Sequence, residues 1–294
     1  MKVSTYIALT IVTLAEATIG VFVKLVGEGV PIWSLNFYRV LFAALFLAVS
    51  MPFFNRDFWK FPRHDIKDTV IIGVLIAMQI SIFNVAMTLA PIANVVIFWS
   101  ISPVFAFIFS YLFLGERSTL SQIGIFVLAM IGVVVAEPLS GGHIAGNLVA
   151  LGSGLVYAAL VTYMRNEGKT EQNSDIFWSL IIATLILLPS IFFFGPGEVM
   201  AVSHSMPNLV WIALLGMVST GMAYLFITVA IKDINANIYS LVDTVVSPVV
   251  AAILGVLVFG EIPAPHTIYG GIILIISGFL LTREMENKKI QSPT

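Results

Sequence analysis

Ten long apolar runs divide this chain, and they restrict its fold more than any single motif does. They fall at about 5–26, 33–54, 69–89, 92–114, 119–136, 146–165, 175–195, 207–230, 236–259 and 266–283. Each has roughly the 17 to 25 residues a helix needs to cross a hydrocarbon core of about 30 Å. None shows the strict apolar and polar alternation of a membrane barrel strand. Only 10% of the residues are charged and 59% are hydrophobic, whereas a soluble domain carries about 25% charged residues. The predicted fold class is therefore all-α: a polytopic membrane protein of ten transmembrane helices.

Punctuation such as "GEGVP", "EPLSGGHIAG" and "GEIPAPH" separates the runs, and Thr119 with Gln122 makes a capping-box pattern before the fifth. Orientation follows from the basic residues. With the N-terminus in the cytoplasm, twelve of the fourteen Lys and Arg (Lys2, Arg56, Lys60, Arg63, Lys67, Arg117, Arg165, Lys169, Lys232, Arg283, Lys288 and Lys289) fall on the inner side. The outer loops hold none, and Lys24 and Arg39 lie within spans. This is the positive-inside pattern, with both termini cytoplasmic. Met1 to Gly20 imitates a signal peptide, but its apolar run continues to Val26 and Glu16 interrupts it, so cleavage is not expected. Cysteine is absent, which excludes disulfides and thiolate chemistry.

The chain repeats itself. "SPVFAFIFSYLFLGE" from Ser102 returns as "SPVVAAILGVLVFGE" from Ser247, with eight identities in the sixteen gap-free positions from Ile101/Val246 to Glu116/Glu261. "AMTLAPIAN" at 86–94 answers "AIKDINAN" at 230–237, and "IGVVV" at 131–135 answers "SGFLL" at 277–281. Each half holds five spans, an odd number, so the two copies run in opposite directions. Inverted repeats of this kind build transporters whose central site opens alternately to each side.

Two five-span halves, an Arg within "FYRVLFAALFLAV" and "SPV…GE" followed by glycine toward the end of each half resemble the drug/metabolite transporter superfamily, EamA type. The resemblance covers about residues 4 to 283. It implies a ten-helix transporter with a cavity between repeat one at 4–136 and repeat two at 146–283, followed by a cytoplasmic tail at 284–294. The superfamily moves amino acids, nucleotide sugars, sugar phosphates, vitamins and drugs, so no single solute is implied. "LAEATIGVFVKLVGEG" at 14–29 is similar to the first helix of the small multidrug resistance proteins, in which a membrane glutamate is followed eight residues later by lysine and takes protons and substrate in turn. That likeness points to Glu16, with Lys24 as its partner in the motif; the glycine after the glutamate comes one position later here, at Gly20.

Charges inside a bilayer are costly and need partners or a wet cavity. Glu16 stands about ten residues into the first span, near the midplane, with Thr13, Gly20 and Lys24 on the same helical face. Either it carries protons or it is bound permanently to Arg39; a permanent arginine partner would hold it ionised and unfit it as a carrier. Arg39 could bind a carboxylate or phosphate by paired hydrogen bonds, or serve a helix-to-helix salt bridge. Lys24 could serve the cavity or reach to water from the outer end of its span. Asp243, with Tyr239 and Ser240 one turn back, gives span nine a polar face; it belongs either to the cavity or to Lys232. In the first repeat its position holds Phe98. Pro103 and Pro248 are expected to kink spans four and nine, freeing the carbonyls of Trp99 and Thr244. Asn84, Asn94, Trp99, Tyr157 and Tyr224 could complete an aromatic and polar lining. The glycines at 152–154 and 270–271 suit close helix packing.

The expected function is alternating-access export of a small organic metabolite or drug-like solute across a prokaryotic plasma membrane, coupled to protons at Glu16. Exchange of one solute for another, or facilitated diffusion, is the alternative. The histidines fall in separate loops without metal-ligand spacing, no carboxylate pair suggests an intramembrane enzyme, and no P-loop is present. The partners expected are the solute, protons and the lipid bilayer, with a homodimer left open; nucleic acid, metal and cofactor are not.

Overall fold

The computed structural model describes residues 3–26, 30–53, 56–62, 66–114, 120–136, 142–166, 173–193, 206–230 and 247–291. Regular structure among them is entirely helical. The elements are α1 (Val3–Ala17), α2 (Ile19–Val26), α3 (Ile32–Ser50), α4 (Ile66–Leu89), α5 (Ile92–Trp99), α6 (Ser102–Leu114), α7 (Leu120–Ala136), α8 (Ile144–Asn166), α9 (Asn173–Phe193), α10 (Met206–Gly216), α11 (Ala223–Ala230), α12 (Ser247–Phe259) and α13 (Pro265–Gln291). A π-helical segment, Met217–Met222, joins α10 to α11. Six of the resulting segments are long and apolar enough to span a membrane, and four shorter apolar helices complete the ten expected positions.

The ends of these helices follow from residue chemistry. Pro31 and Pro91 precede α3 and α5 with extended backbone angles; a proline there lacks only an N–H that the first turn leaves unpaired. Gly260 has φ +67°, a backbone conformation that favours glycine, and it ends α12. The N–H groups of Gly260 and Glu261 then donate back to the carbonyls of Val256 and Gly255 at 2.9 and 3.3 Å. α13 continues to Gln291, so the segment expected as a tail from 284 begins as helix.

The ten segments pack with the symmetry the repeat implies. If segment n in the first half corresponds to segment n+5 in the second, α4 against α8 has its mate in α1 against α11, and α6 against α8 in α1 against α12. The crossing of α4 with α9 is matched by that of α3 with α10 and the π segment. α3 on α9, α5 on α12 and α7 on α13 are their own mates. Both halves therefore interdigitate around one centre.

Among the described residues, three spans are interrupted at that centre. The first breaks at Thr18, between α1 and α2, and the fourth at Ser100–Ile101, between α5 and α6. The eighth widens through its π segment. The expected kink at Pro103 is thus a break: the helix stops at Trp99 and restarts with Pro103 in the first turn of α6, where proline costs no ladder bond. Pro248 likewise occupies the first turn of α12; Thr244 lies outside the described residues. Irregular backbone at membrane depth survives only when buried in protein or lining a cavity.

Away from the chain termini, the bundle is filled by a buried cluster including Val26, Val30, Leu35, Met87, Ile92 and Ile212, drawn from both halves. A second buried cluster, including Leu47, Ile76, Leu180 and Leu225, holds α3, α4, α9 and α11 together. The central cavity lies between the helices that these clusters join.

Candidate functional site

The cavity measures about 120 Å³ and is lined from both repeats. That is roughly ten times the space one water needs. α1 brings Glu16, α3 brings Arg39, α4 brings Gln79 and Phe83, and α5 brings Val96 and Trp99. The second repeat supplies Tyr157 from α8, Ser219 and Thr220 from the π segment, Tyr224 from α11, and Ser247 and Ala251 from α12.

Arg39 is only 4% exposed, and its partners show how a buried cation is held. Its Nε donates to Thr220 Oγ1 at 3.0 Å, and Nη1 donates to Asn84 Oδ1 at 2.7 Å. Asn84 in turn donates from Nδ2 to Asn36 Oδ1 at 2.7 Å, which sits one turn before Arg39 on the same helix. Fixed in this way on two of its nitrogens, the guanidinium stands in the wall of the cavity. Gly216 permits the arrangement: a Cβ there would lie 2.6 Å from the Arg39 carbonyl oxygen and 2.5 Å from Phe42 Cβ. Span eight can therefore approach α3 closely enough for Thr220 to reach Arg39.

Glu16 is half-buried beside this group. It and Tyr224 both act electrostatically on the Arg39 guanidinium, yet the hydrogen bonds described for Arg39 go to Thr220 and Asn84. Thr220 and Asn84 thus fix two of the guanidinium nitrogens, and Glu16 adds an opposite charge beside them. Beyond Glu16, the break at Thr18 is closed by hydroxyls: Thr18 Oγ1 donates to Ala15 O at 2.6 Å and lies 2.7 Å from Ser219 Oγ.

Aromatic rings make another part of the lining. The rings of Trp99 and Tyr157 are 5.1 Å apart and tilted by 51°, and Phe83 meets Trp99 edge-on at 6.0 Å. Trp99 Nε1 and Ser247 Oγ are buried without a hydrogen-bond partner among the described residues, and both residues line the cavity. A buried donor left unmade costs about 1–3 kcal/mol, so such groups suit a site completed by a guest. The freed Trp99 carbonyl faces Gly154, whose Cβ, if present, would stand 3.0 Å from it. The glycine lets α8 close over the break.

Several residues singled out from sequence stand elsewhere. Lys24 is away from the lining: it forms an ion pair with Glu261, their side chains 22% and 21% exposed. Glu261 Oε2 also accepts the N–H of Ile92 at 2.9 Å, capping α5. The physical reason is proximity at the end of the bundle, where α2, the start of α5 and the end of α12 meet. Asn84 stands behind Arg39 instead of facing the cavity, and Asn94 is buried on α5 outside the lining. Asp243, Tyr239, Lys232 and the first Gly-Glu pair, Gly115-Glu116, lie outside the described residues.

Sequence reasoning passed over Gln79, Ser219, Thr220 and the dual role of Glu261. Signals for them exist: an isolated amide within an apolar span, "STG" inside "GMVSTGMAY", and a repeated Gly-Glu whose glycine turns the carboxylate back onto the bundle.

The sequence profile of the EamA-like transporter family matches residues 3–136 and, a second time, residues 144–283. The chain belongs to the EamA-like transporter family. It is thus an integral membrane transporter of small molecules and not an enzyme. Similar to this EamA-family chain is a protein of Streptantibioticus cattleyicolor named "Probable terminal-alkyne amino-acid exporter", 26% identical over 98% of this chain and 96% of its own. A pseudopaline exporter of Pseudomonas aeruginosa is 25% identical over 92% of this chain and 94% of its own. An S-adenosylmethionine uptake transporter of Rickettsia bellii is 21% identical over 86% and 84%. One crystal structure superposes on 97% of this chain and 100% of its own with a TM-score of 0.67 at 15% identity, a likeness of fold.

Proposed function

We propose that this transporter exports a zwitterionic solute of amino-acid type by alternating access, in exchange for protons. The observation that carries the proposal is one cavity holding both Arg39 and Glu16. Arg39 suits a carboxylate, and charge-assisted bonds of this kind are about twice as strong as neutral ones. Glu16 suits an ammonium. A carboxylate that holds a proton cannot hold an ammonium, so proton and solute take Glu16 in turn, which is the condition for exchange. Trp99, Tyr157 and Phe83 offer an apolar wall to the solute's side chain. The names of the three relatives, a probable terminal-alkyne amino-acid exporter, a pseudopaline exporter and an S-adenosylmethionine uptake transporter, support this class of solute.

With both termini in the cytoplasm of a prokaryotic cell, as the distribution of basic residues predicts, the packed end of the bundle faces outward, and rocking of the two repeats would open it. Proteoliposomes loaded at one pH and diluted into another, tested with the twenty proteinogenic amino acids, provide the test. Uphill uptake of at least one is expected in the native chain, with its pH dependence lost in Glu16→Gln while folding is kept. Undiminished pH-driven uptake in that variant excludes proton coupling at Glu16. Counterflow without any pH effect would identify a solute-for-solute exchanger instead.

A further inference from the structure

The hydrogen bonds at the break in span one determine which way a neighbouring hydroxyl points. A carbonyl cannot donate, so the 2.6 Å contact of Thr18 Oγ1 with Ala15 O places the single Thr18 hydroxyl proton on that bond. Thr18 then has only lone pairs for Ser219, and Ser219 Oγ, 2.7 Å away, must be the donor of the pair. The same reasoning applies at Thr220, which donates to Leu215 O at 3.2 Å because Arg39 Nε can only donate to it. Ser219 is 1% exposed and lines the cavity. With its proton committed to Thr18, it presents acceptor lone pairs there and no donor.

From this we infer that Ser219 is a specificity-determining residue that accepts a hydrogen bond from the solute's ammonium, and that Thr18 is a positioning residue that keeps it an acceptor. The inference rests on the zwitterion reading above. An ammonium has three donors and no acceptor, so an acceptor-only hydroxyl on the element packed against α1 complements the Glu16 carboxylate. A hydroxyl free to turn its proton into the cavity would oppose the same cation. Thr18 is not part of the lining, so its effect passes entirely through Ser219.

The test uses the purified full-length protein and measures binding of the twenty amino acids, each binder being compared with the corresponding carboxylic acid that lacks the α-amino group. The native chain is expected to favour the amino acid by about tenfold or more. Ser219→Ala and Thr18→Val should each reduce that ratio by about fivefold to tenfold without changing affinity for the carboxylic acid. In proteoliposomes KM for the amino acid should rise in proportion with kcat unchanged. Thr18→Ser, which preserves the relay, should restore the native ratio. Thr18→Ala serves as the second variant should valine crowd the break, since it also removes the acceptor. A native ratio in both Ser219→Ala and a folded Thr18 variant overturns the inference while leaving the zwitterion reading intact. Failure of the native chain to bind any amino acid overturns both, and shows itself before any variant is made.

Discussion

Two helix crossings, one in each half of the bundle, are built alike and do different work. Where α10 meets α3, Gly216 leaves a Cβ position 2.6 Å from the carbonyl oxygen of Arg39 and 2.5 Å from Phe42 Cβ. Where α4 meets α9, Gly73 leaves one 2.9 Å from the carbonyl oxygen of Ser179 and 2.8 Å from Ile182 Cγ2. Under the repeat these contacts are mates. The residue at the first is an arginine held by Thr220 and Asn84. At the second it is a serine whose hydroxyl donates to Thr69 O at 3.2 Å. The pattern recurs thirteen residues into each family match, where Glu16 and Tyr157 both line the cavity. Among the described residues, repeat one supplies the ions of the site and repeat two supplies neutral hydroxyls and rings. The scaffold is twofold; the chemistry is not.

That contrast can be broken at its centre first. Arg39→Ala should weaken solute binding by about 2–5 kcal/mol, since a buried hydrogen-bonded charge loses its role and strands its partners. Ser179→Ala at the matching position should cost only about 0.5–1.5 kcal/mol of stability and leave KM unchanged. Transport titrations alongside thermal unfolding in detergent separate the two outcomes. The glycines offer the next test. Gly216→Ala and Gly73→Ala should each destabilise the fold by about 1–3 kcal/mol through overpacking, yet only Gly216→Ala should raise KM, because it alone pushes Thr220 away from Arg39.

Tyr157→Phe and Glu16→Gln sharpen the comparison at the second pair of mates. Removing the phenolic hydroxyl should raise KM by up to about tenfold and retain the pH dependence of transport, whereas the Glu16 variant should lose that dependence; uptake measured across a pH series distinguishes them. The smallest effect is expected at Lys24→Met, about 0–1 kcal/mol of stability, since its ion pair with Glu261 is partly solvated and screened. Glu261→Ala should cost about 1 kcal/mol more, as it also removes the cap on the Ile92 N–H. Equal unfolding temperatures for the two variants would show that the cap contributes nothing.

Much of the fold could be read from the residues because it depends on local quantities. Span number follows from apolar length, and the doubled "SPV…GE" establishes the repeat. Glu16, Arg39, Trp99, Tyr157 and Tyr224 could be anticipated for the cavity because polar or aromatic groups at mid-depth need one. The assignment failed where a residue's partner lay far along the chain. Lys24 is separated from Glu261 by 237 positions and Arg39 from Thr220 by 181, and no spacing within a helix announces either pair. Asn84 and Trp99 looked equivalent as cavity candidates, yet one supports the arginine from behind and the other faces the cavity.

By itself the sequence determined the class of this protein: a helical membrane transporter of two repeated halves, because hydrocarbon thickness and backbone hydrogen bonding allow an apolar chain few alternatives. Tertiary structure decided the breaks at Thr18 and Ser100–Ile101 and the π segment at Met217–Met222, the placement of those breaks around one cavity, and the direction of the Ser219 and Thr220 hydroxyls within it. The reason is physical. Burial and length are properties of a segment, whereas the orientation of a hydrogen bond belongs to two groups and exists only when packing has brought them together.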